Sequence, residues 1–267
     1  MSGSRPGFAP LRTAAAIGFR HHLAYPTEIA IQLLAAGILA GLNGALWTAA
    51  AHSAPTVAGL PTLGWRASVL VAWAGIGAVA TRVHEDLGER FRDGQIAADL
   101  LRPLPLPALV YARDLGRAAA AFLVQAVPLL GLCALAAPLG LPTAPAAWFA
   151  WVAALFGAHL VNVALSFLLG VGAFRLGSVT GLGYLKATLV SLFAGALLPL
   201  ELFGPVLRTV AFCLPFHVLG RTPAAVLLGR EPVLPLLAEQ FAWALALWAL
   251  GWWMWRRAAD SFTVQGG

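Results

Sequence analysis

Apolar residues run along this chain in long blocks separated by short polar or proline-rich breaks. A membrane-spanning helix needs about 20 predominantly apolar residues, so each block reads as one span. The first covers residues 28–51, interrupted by Asn43, with Gly37, Gly41 and Gly44 offering small faces for close helix contact. Residues 52–65, with Pro55 and Pro61, read as a loop, and 67–81 as the second span. A charged stretch at 82–117 follows, then a third span at 115–137, where Pro128 predicts a kink because proline has no N–H to give. A turn at 138–145 leads to a fourth span at 146–174. A glycine-rich connection at 175–183 leads to a fifth span at 184–200. Residues 201–235 are apolar but broken by Pro205, Pro215, Pro223 and Pro232. They predict short helices lying on or dipping into the membrane, with protein burying their backbone. The sixth span, 236–255, ends in Trp252, Trp253 and Trp255, and Arg256 and Arg257 follow on the water side. The predicted fold class is all-α, a polytopic membrane protein of one domain, with a surface helix in the charged loop.

Composition agrees. The chain is 60% hydrophobic and 10% charged, whereas a soluble domain carries about 25% charged residues. The net charge of +6 could suggest nucleic acid, but the basic residues are scattered between oily segments. They read instead as anchors of spans. With the N-terminus placed inside, thirteen Lys and Arg fall on the inner side and four (Arg66, Arg208, Arg221, Arg230) on the outer. That bias puts both termini and the charged loop in the cytoplasm, and the protein in the cytoplasmic membrane. Residues 1–27, basic and broken by prolines, read as a cytoplasmic tail rather than a signal peptide. Two cysteines make no disulfide framework. Cys133 and Cys213 are expected on the outer side as buried free thiols, with pairing in an oxidising compartment the alternative.

The charged stretch holds six of the seventeen basic residues and six of the eleven acids. Val83, Leu87 and Phe91 recur every fourth position, which is one face of a helix. Glu85, Asp86, Glu89, Arg90, Arg92 and Asp93 occupy the rest, and Gly94 predicts the stop. Such a helix lies along the membrane surface with its apolar stripe inward. Its charged side is then available to a partner; a solvated connector of two spans fits the same pattern.

After this helix come Gly94, Ile96, then Leu100-Leu101-Arg102-Pro103-Leu104. This order resembles the loop signature of the ATP-binding-cassette (ABC) type-2 permeases, in the branch with Leu-Leu-Arg-Pro-Leu. Residues 198–203 (Leu-Pro-Leu-Glu-Leu-Phe), Pro205, 214–216, 222–223 and 228–229 resemble that branch's outer region. The final Val264-Gln265-Gly266-Gly267 resembles its tail. The resemblance implies a six-span subunit that pairs with itself or a sister permease and is powered by separate ABC ATPase subunits. It also implies export of a small molecule, peptide or lipid. By position, His84 to Asp93 would be the coupling helix that docks on the ATPase. The chain itself would hold no cofactor, ATP and Mg residing on the partner. A phosphate-binding loop needs Gly-x-x-x-x-Gly-Lys-Ser/Thr; the single lysine, Lys186, lies between Leu185 and Ala187.

Polar residues within spans are candidates for a path. His159, Asn162 and Ser166 share one face of the fourth span; interhelical hydrogen bonding is the plainer role for them. Glu201 and Glu239 are outer-gate candidates, with Arg208 or water as the partner expected for Glu201. No metal site is expected, since no His-Glu-x-x-His occurs, and no Gly-x-Ser-x-Gly elbow marks a nucleophile. A channel or assembly subunit not driven by ATP, or an intramembrane enzyme, are the competing classes.

Overall fold

The computed structural model describes residues 9–57, 59–101, 104–136, 139–176 and 179–264. Helix α1 (Ala9–Leu23) is followed by α2 (Pro26–Ser53), whose first-turn proline has no N–H to leave unsatisfied. Strands β1 (Thr56–Val57) and β2 (Leu60–Pro61) form an antiparallel hairpin, with Thr56 opposite Pro61. Then come α3 (Thr62–Val79), the surface helix α4 (Val83–Arg92) and the short α5 (Ile96–Leu100). Helix α6 (Leu106–Ala121) passes through a π-helical turn, Phe122–Ala126, into α7 (Val127–Ala136). Helices α8 (Pro145–Leu176) and α9 (Val179–Phe193) follow. A 3-10 turn, Leu200–Leu202, precedes α10 (Pro205–Phe212), α11 (His217–Leu227) and α12 (Val233–Val264).

Five stretches among the described residues are long and apolar enough to cross a membrane: Pro26–Ser53, Thr62–Arg92, Leu106–Leu135, Pro145–Gly172 and Val233–Ala259. The chain leaves helical geometry at Ala80 (ψ 140°), so α4 is a separate helix beyond the end of α3. Helices α10 and α11 qualify only together and bend by 94° at their junction. The chain is a multi-pass, all-α membrane protein.

Burial ranks the helices. In α3 and α8, 61% of the spanning window is buried, against 6% in α2 and 17% in α12. Helices α3 and α8 are therefore the interior of the bundle. Helix α2 turns Ile31, Leu34, Ile38, Leu42 and Leu46 outward, a surface that hydrocarbon or another apolar helix tolerates and water does not.

Three segments depart from their sequence-based reading. The stretch read as a tail contains α1, which crosses α6 at Gly18 and Gly116. A methyl group on either glycine would strike the opposing backbone carbonyl, of Arg113 or Ala15, so only glycine permits this approach. The third span starts earlier, at Leu106, so Arg113 and Asp114 lie inside a helix rather than in a loop, and Arg117 sits well within it rather than at its start. Its proline disturbance is the π turn just before Pro128: residue 128 has no N–H for the carbonyl of Val124, and the wider turn absorbs the mismatch.

The fifth span differs most. The glycine-rich connection is already helical from Val179, and the helix ends at Phe193. Its 15 residues reach about 22 Å, short of a hydrocarbon core of about 30 Å. Residues 194–198 continue as bends, with Gly195 in the left-handed region (φ 76°).

Candidate functional site

Helix α4 has both a helical sequence and a surface to rest on. Glu85 and Asp86 occupy its first turn and Arg90 and Arg92 its last, the charge order that the helix dipole favours. Thr81 Oγ1 accepts a hydrogen bond from the Val83 N–H (3.3 Å), and Gly94 (φ 70°) ends the run. Val83 and Leu87 are buried in a cluster with Val163, Phe167 and Val171 of α8. Each such side chain contributes about 1.5–3 kcal/mol. Gly170 makes the contact close, since a Cβ there would lie 2.8 Å from Leu87 Cβ.

The residues read from sequence as a docking element therefore divide. Glu85, Asp86, Glu89, Arg92 and Asp93 are exposed. His84 and Leu87 are buried, and Phe91 packs half-buried on the same cluster. Arg90 is committed to Asp99, at 2.6 Å, and Asp99 is itself buried. Of the motif that follows, Gly94 ends α4, Ile96 is buried, Leu100 ends α5 and Leu101 is exposed. Arg102 and Pro103 lie outside the described residues, as do Gln265, Gly266 and Gly267.

Beside α4 a cavity of about 790 Å³ opens between α1, α2, α3, α6 and α9. One wall carries a hydrogen-bonded row. Arg82 pairs with Glu28 (3.3 Å), Glu28 accepts from Gln32 (2.9 Å), and Gln125 donates to Gln32 (2.6 Å). His21 and His22 sit at the α1 edge, where burial, and then Arg117, hold the His22 imidazole below its usual range. Further in, the walls are Leu33, Ala36, Trp73, Leu129 and Val190.

The opposite wall is a buried polar cluster. Asn162 Nδ2 donates to the Val79 carbonyl (2.7 Å), and Arg117 donates to the Ala80 carbonyl. These are carbonyls at the end of α3, which have no partner within their own helix. Arg117 also holds Asp114 at 2.7 Å. Lys186 of α9 donates to Ser166 of α8, and both are buried. His159 Nε2 lies 3.7 Å from Asp114, and neither ring nitrogen has a hydrogen-bond partner among the described residues. The three path candidates thus occupy different positions. Asn162 reaches the cavity wall, Ser166 stands behind Lys186, and His159 packs against Tyr111.

At the far end of the bundle, by the hairpin, a smaller pocket of about 360 Å³ holds Glu201. Its partner is Arg221 (2.7 Å) rather than Arg208. Arg221 also pairs with Glu231 and lies over the Phe212 ring at 4.9 Å. Glu239 meets His217 at 2.9 Å. Both gate candidates therefore bind α11, whose residues are nearly all buried. Arg230 donates to the Gly64 carbonyl and lies over Trp65. Cys133 and Cys213 are free, and Cys213 is exposed, unlike the buried thiol expected. No group of three or more metal-ligating side chains occurs among the described residues.

Sequence reasoning missed Lys186, Asp114 and Arg117. Lys186 had a signal: one lysine in an apolar run is a residue whose burial demands a reason. Asp114 and Arg117 did not, because a late helix start left Asp114 in the loop and Arg117 at the edge of the span.

A family model described as "ABC-2 family transporter protein" matches residues 67–266, three quarters of the chain. The match spans α4, the polar cluster and the hairpin-end pairs, and leaves out α1 and α2. No curated protein and no solved structure matches the chain.

Proposed function

This chain belongs to the ABC-2 family of transporter proteins, and from that premise we propose that it pairs with a second permease subunit to form the path of an ATP-driven exporter. It is a membrane transport component without the motifs of an ATPase. In the proposed complex, separate ATPase subunits dock on α4 and supply the energy. The ends holding α4 and both termini face the cytoplasm, and the hairpin and α10–α11 face outward. A cargo (small molecule, peptide or lipid) enters from the α4 end.

The observation that carries this reading is the build of α4. Its buried side, Val83 and Leu87, is seated on the central helix α8, and Arg90–Asp99 ties its end to α5. Its free side displays Glu85, Asp86 and Glu89 together. A charged face on a rigid mount suits a partner that transmits force, because displacement of α4 is passed to α8 through close packing. Export direction is supported by the resemblance of residues 94–105 and 198–229.

The test is capture of the cognate ATPase on the membrane-embedded chain. Replacing Glu85, Asp86 and Glu89 together with lysine is expected to weaken capture about tenfold or more while the fold survives. Undiminished capture would move the docking surface elsewhere. Single cysteines at Asp93 and Thr143 should label from opposite sides of sealed vesicles, with Asp93 reached from the cytoplasmic side. Accumulation in vesicles holding both subunits should require hydrolysable ATP; accumulation driven by an ion gradient alone would favour a channel or secondary transporter.

A further inference from the structure

We propose that the cavity beside α4 receives an anionic amphiphile, its anionic group against Lys186 and its apolar part along Leu33, Ala36, Trp73 and Val190. This names the cargo class of the permease function proposed above and rests on it.

The charges around the cavity decide the sign. Its cations are Arg82, Arg117 and Lys186, and its acids are Glu28 and Glu85. Arg82 already has Glu28, and Arg117 already has Asp114. Glu85 stands at the mouth with its side chain half exposed, where water screens it. Lys186 is different. It is buried, its hydrogen-bond partner is the neutral Ser166 hydroxyl, and no acid lies within ion-pair distance of it among the described residues. An ammonium held out of water with no carboxylate in direct contact is costly, since Asp114 and Glu85 attract it only from a longer range, and an anion arriving beside it relieves that cost. A cationic cargo would add to it.

The walls decide the shape. Along α2, Glu28 and Gln32 come before Leu33 and Ala36, so polarity falls from the α4 end toward the bundle's middle. Along α9, Lys186 comes before Val190 in the same direction. A polar entrance, one buried cation and then an apolar interior complement a molecule with an anionic head and an oily body. A cavity of about 790 Å³ is in the size range of drug-sized ligand sites.

The experiment needs no ATPase, so its failure is distinct from failure of the docking reading, which rests on ATPase capture. The full chain is placed in phosphatidylcholine nanodiscs and titrated with the fluorescent carboxylate 11-(dansylamino)undecanoate. A trimethylammonium analogue of equal chain length is titrated in parallel, with partition into empty discs subtracted. The carboxylate should bind about tenfold more tightly than the ammonium, and Lys186→Met should erase that difference. Lys186→Arg, which keeps the charge, should retain it and controls for a fold lost in the methionine variant. Inorganic phosphate, a charge without a chain, should not displace the probe. Equal binding of the two amphiphiles, or an undiminished preference in Lys186→Met, overturns the proposal. Displacement by phosphate overturns the amphiphile and leaves a small-anion site.

Discussion

The two ends of the bundle hold their charges in opposite ways. Near the hairpin, Arg221 is gripped by Glu201 on one side and Glu231 on the other, and His217 meets Glu239. These contacts run from the segment after α9, from the α11–α12 connection and from α12, and all of them end on α11. Charge there is spent on holding one buried helix in place. Beside α4, the cavity is more than twice as large, and the buried Lys186 donates to a hydroxyl and touches no carboxylate among the described residues. One end is satisfied internally and the other is left to be satisfied by something else. A closed network resists change, whereas an open one responds to what enters it. That division suits a transporter in its cargo-accepting form: sealed at one end and receptive at the other.

The largest effect should come from breaking the closed end. Arg221→Ala removes one cation from two carboxylates, Glu201 partly buried and Glu231 about two-fifths exposed (39%). Removing one partner of a fully buried pair costs about 3–5 kcal/mol; water screens part of the charge here, so a loss of about 2–3 kcal/mol and a clear drop in melting temperature in detergent are expected. A shift of a degree or less would mean that water already supports Glu201 and Glu231, and the hairpin end would lose its description as a clamp. Next in size is Gly170→Leu, which wedges α4 away from α8. Overpacking of this kind costs about 1–3 kcal/mol. Its sharper expected outcome is loss of ATPase capture with Glu85, Asp86 and Glu89 intact, because the charged face would no longer be rigidly mounted. Retained capture would show that the face alone is sufficient.

How far the sequence foretold these two ends differs for physical reasons. The surface helix was legible because its apolar residues repeat at helical spacing and Gly94 supplies a stop; the observed helix, Val83–Arg92, begins and ends within a residue of that expectation. The spans were legible because hydrocarbon demands long apolar runs. Span ends were less so. Pro103, Pro105 and Pro107 made residues before 115 look like loop, yet proline is welcome in a helix's first turn, and α6 begins at Leu106. The glycines at 181 and 183 read as a break, but Gly183 is there to let α9 approach His84, where a Cβ would lie 2.7 Å from Nε2. Pairings across the bundle were not legible. Glu201 had Arg208 seven residues away as its natural guess, and only the 94° fold of α10 on α11 brings Arg221 to it instead. Lys186 was counted as a basic residue of the inner side because the positive-inside bias asks only how many cations flank a span. Its burial against α8 is a tertiary fact.

The smallest effect, and the one opposite in sign, is expected at Lys186. Lysine and methionine have similar length and width, so Lys186→Met keeps the packing of α9 on α8 and removes only the charge. Ser166 loses its donor, but a helical serine hydroxyl can turn to the carbonyl four residues back, that of Asn162. With no acid in direct contact left stranded, the stability of the ligand-free protein should be unchanged or raised by about 1 kcal/mol, because a buried charge without a contacting counter-ion has been removed. Thermal unfolding in a neutral detergent measures this, with Arg221→Ala run beside it. A loss at Lys186→Met comparable to that at Arg221→Ala would make the lysine an internal pin like the arginine, and the contrast between the two ends would collapse. A neutral or stabilising result would leave Lys186 as a cation that folding does not need, which is what a residue kept for a ligand should be.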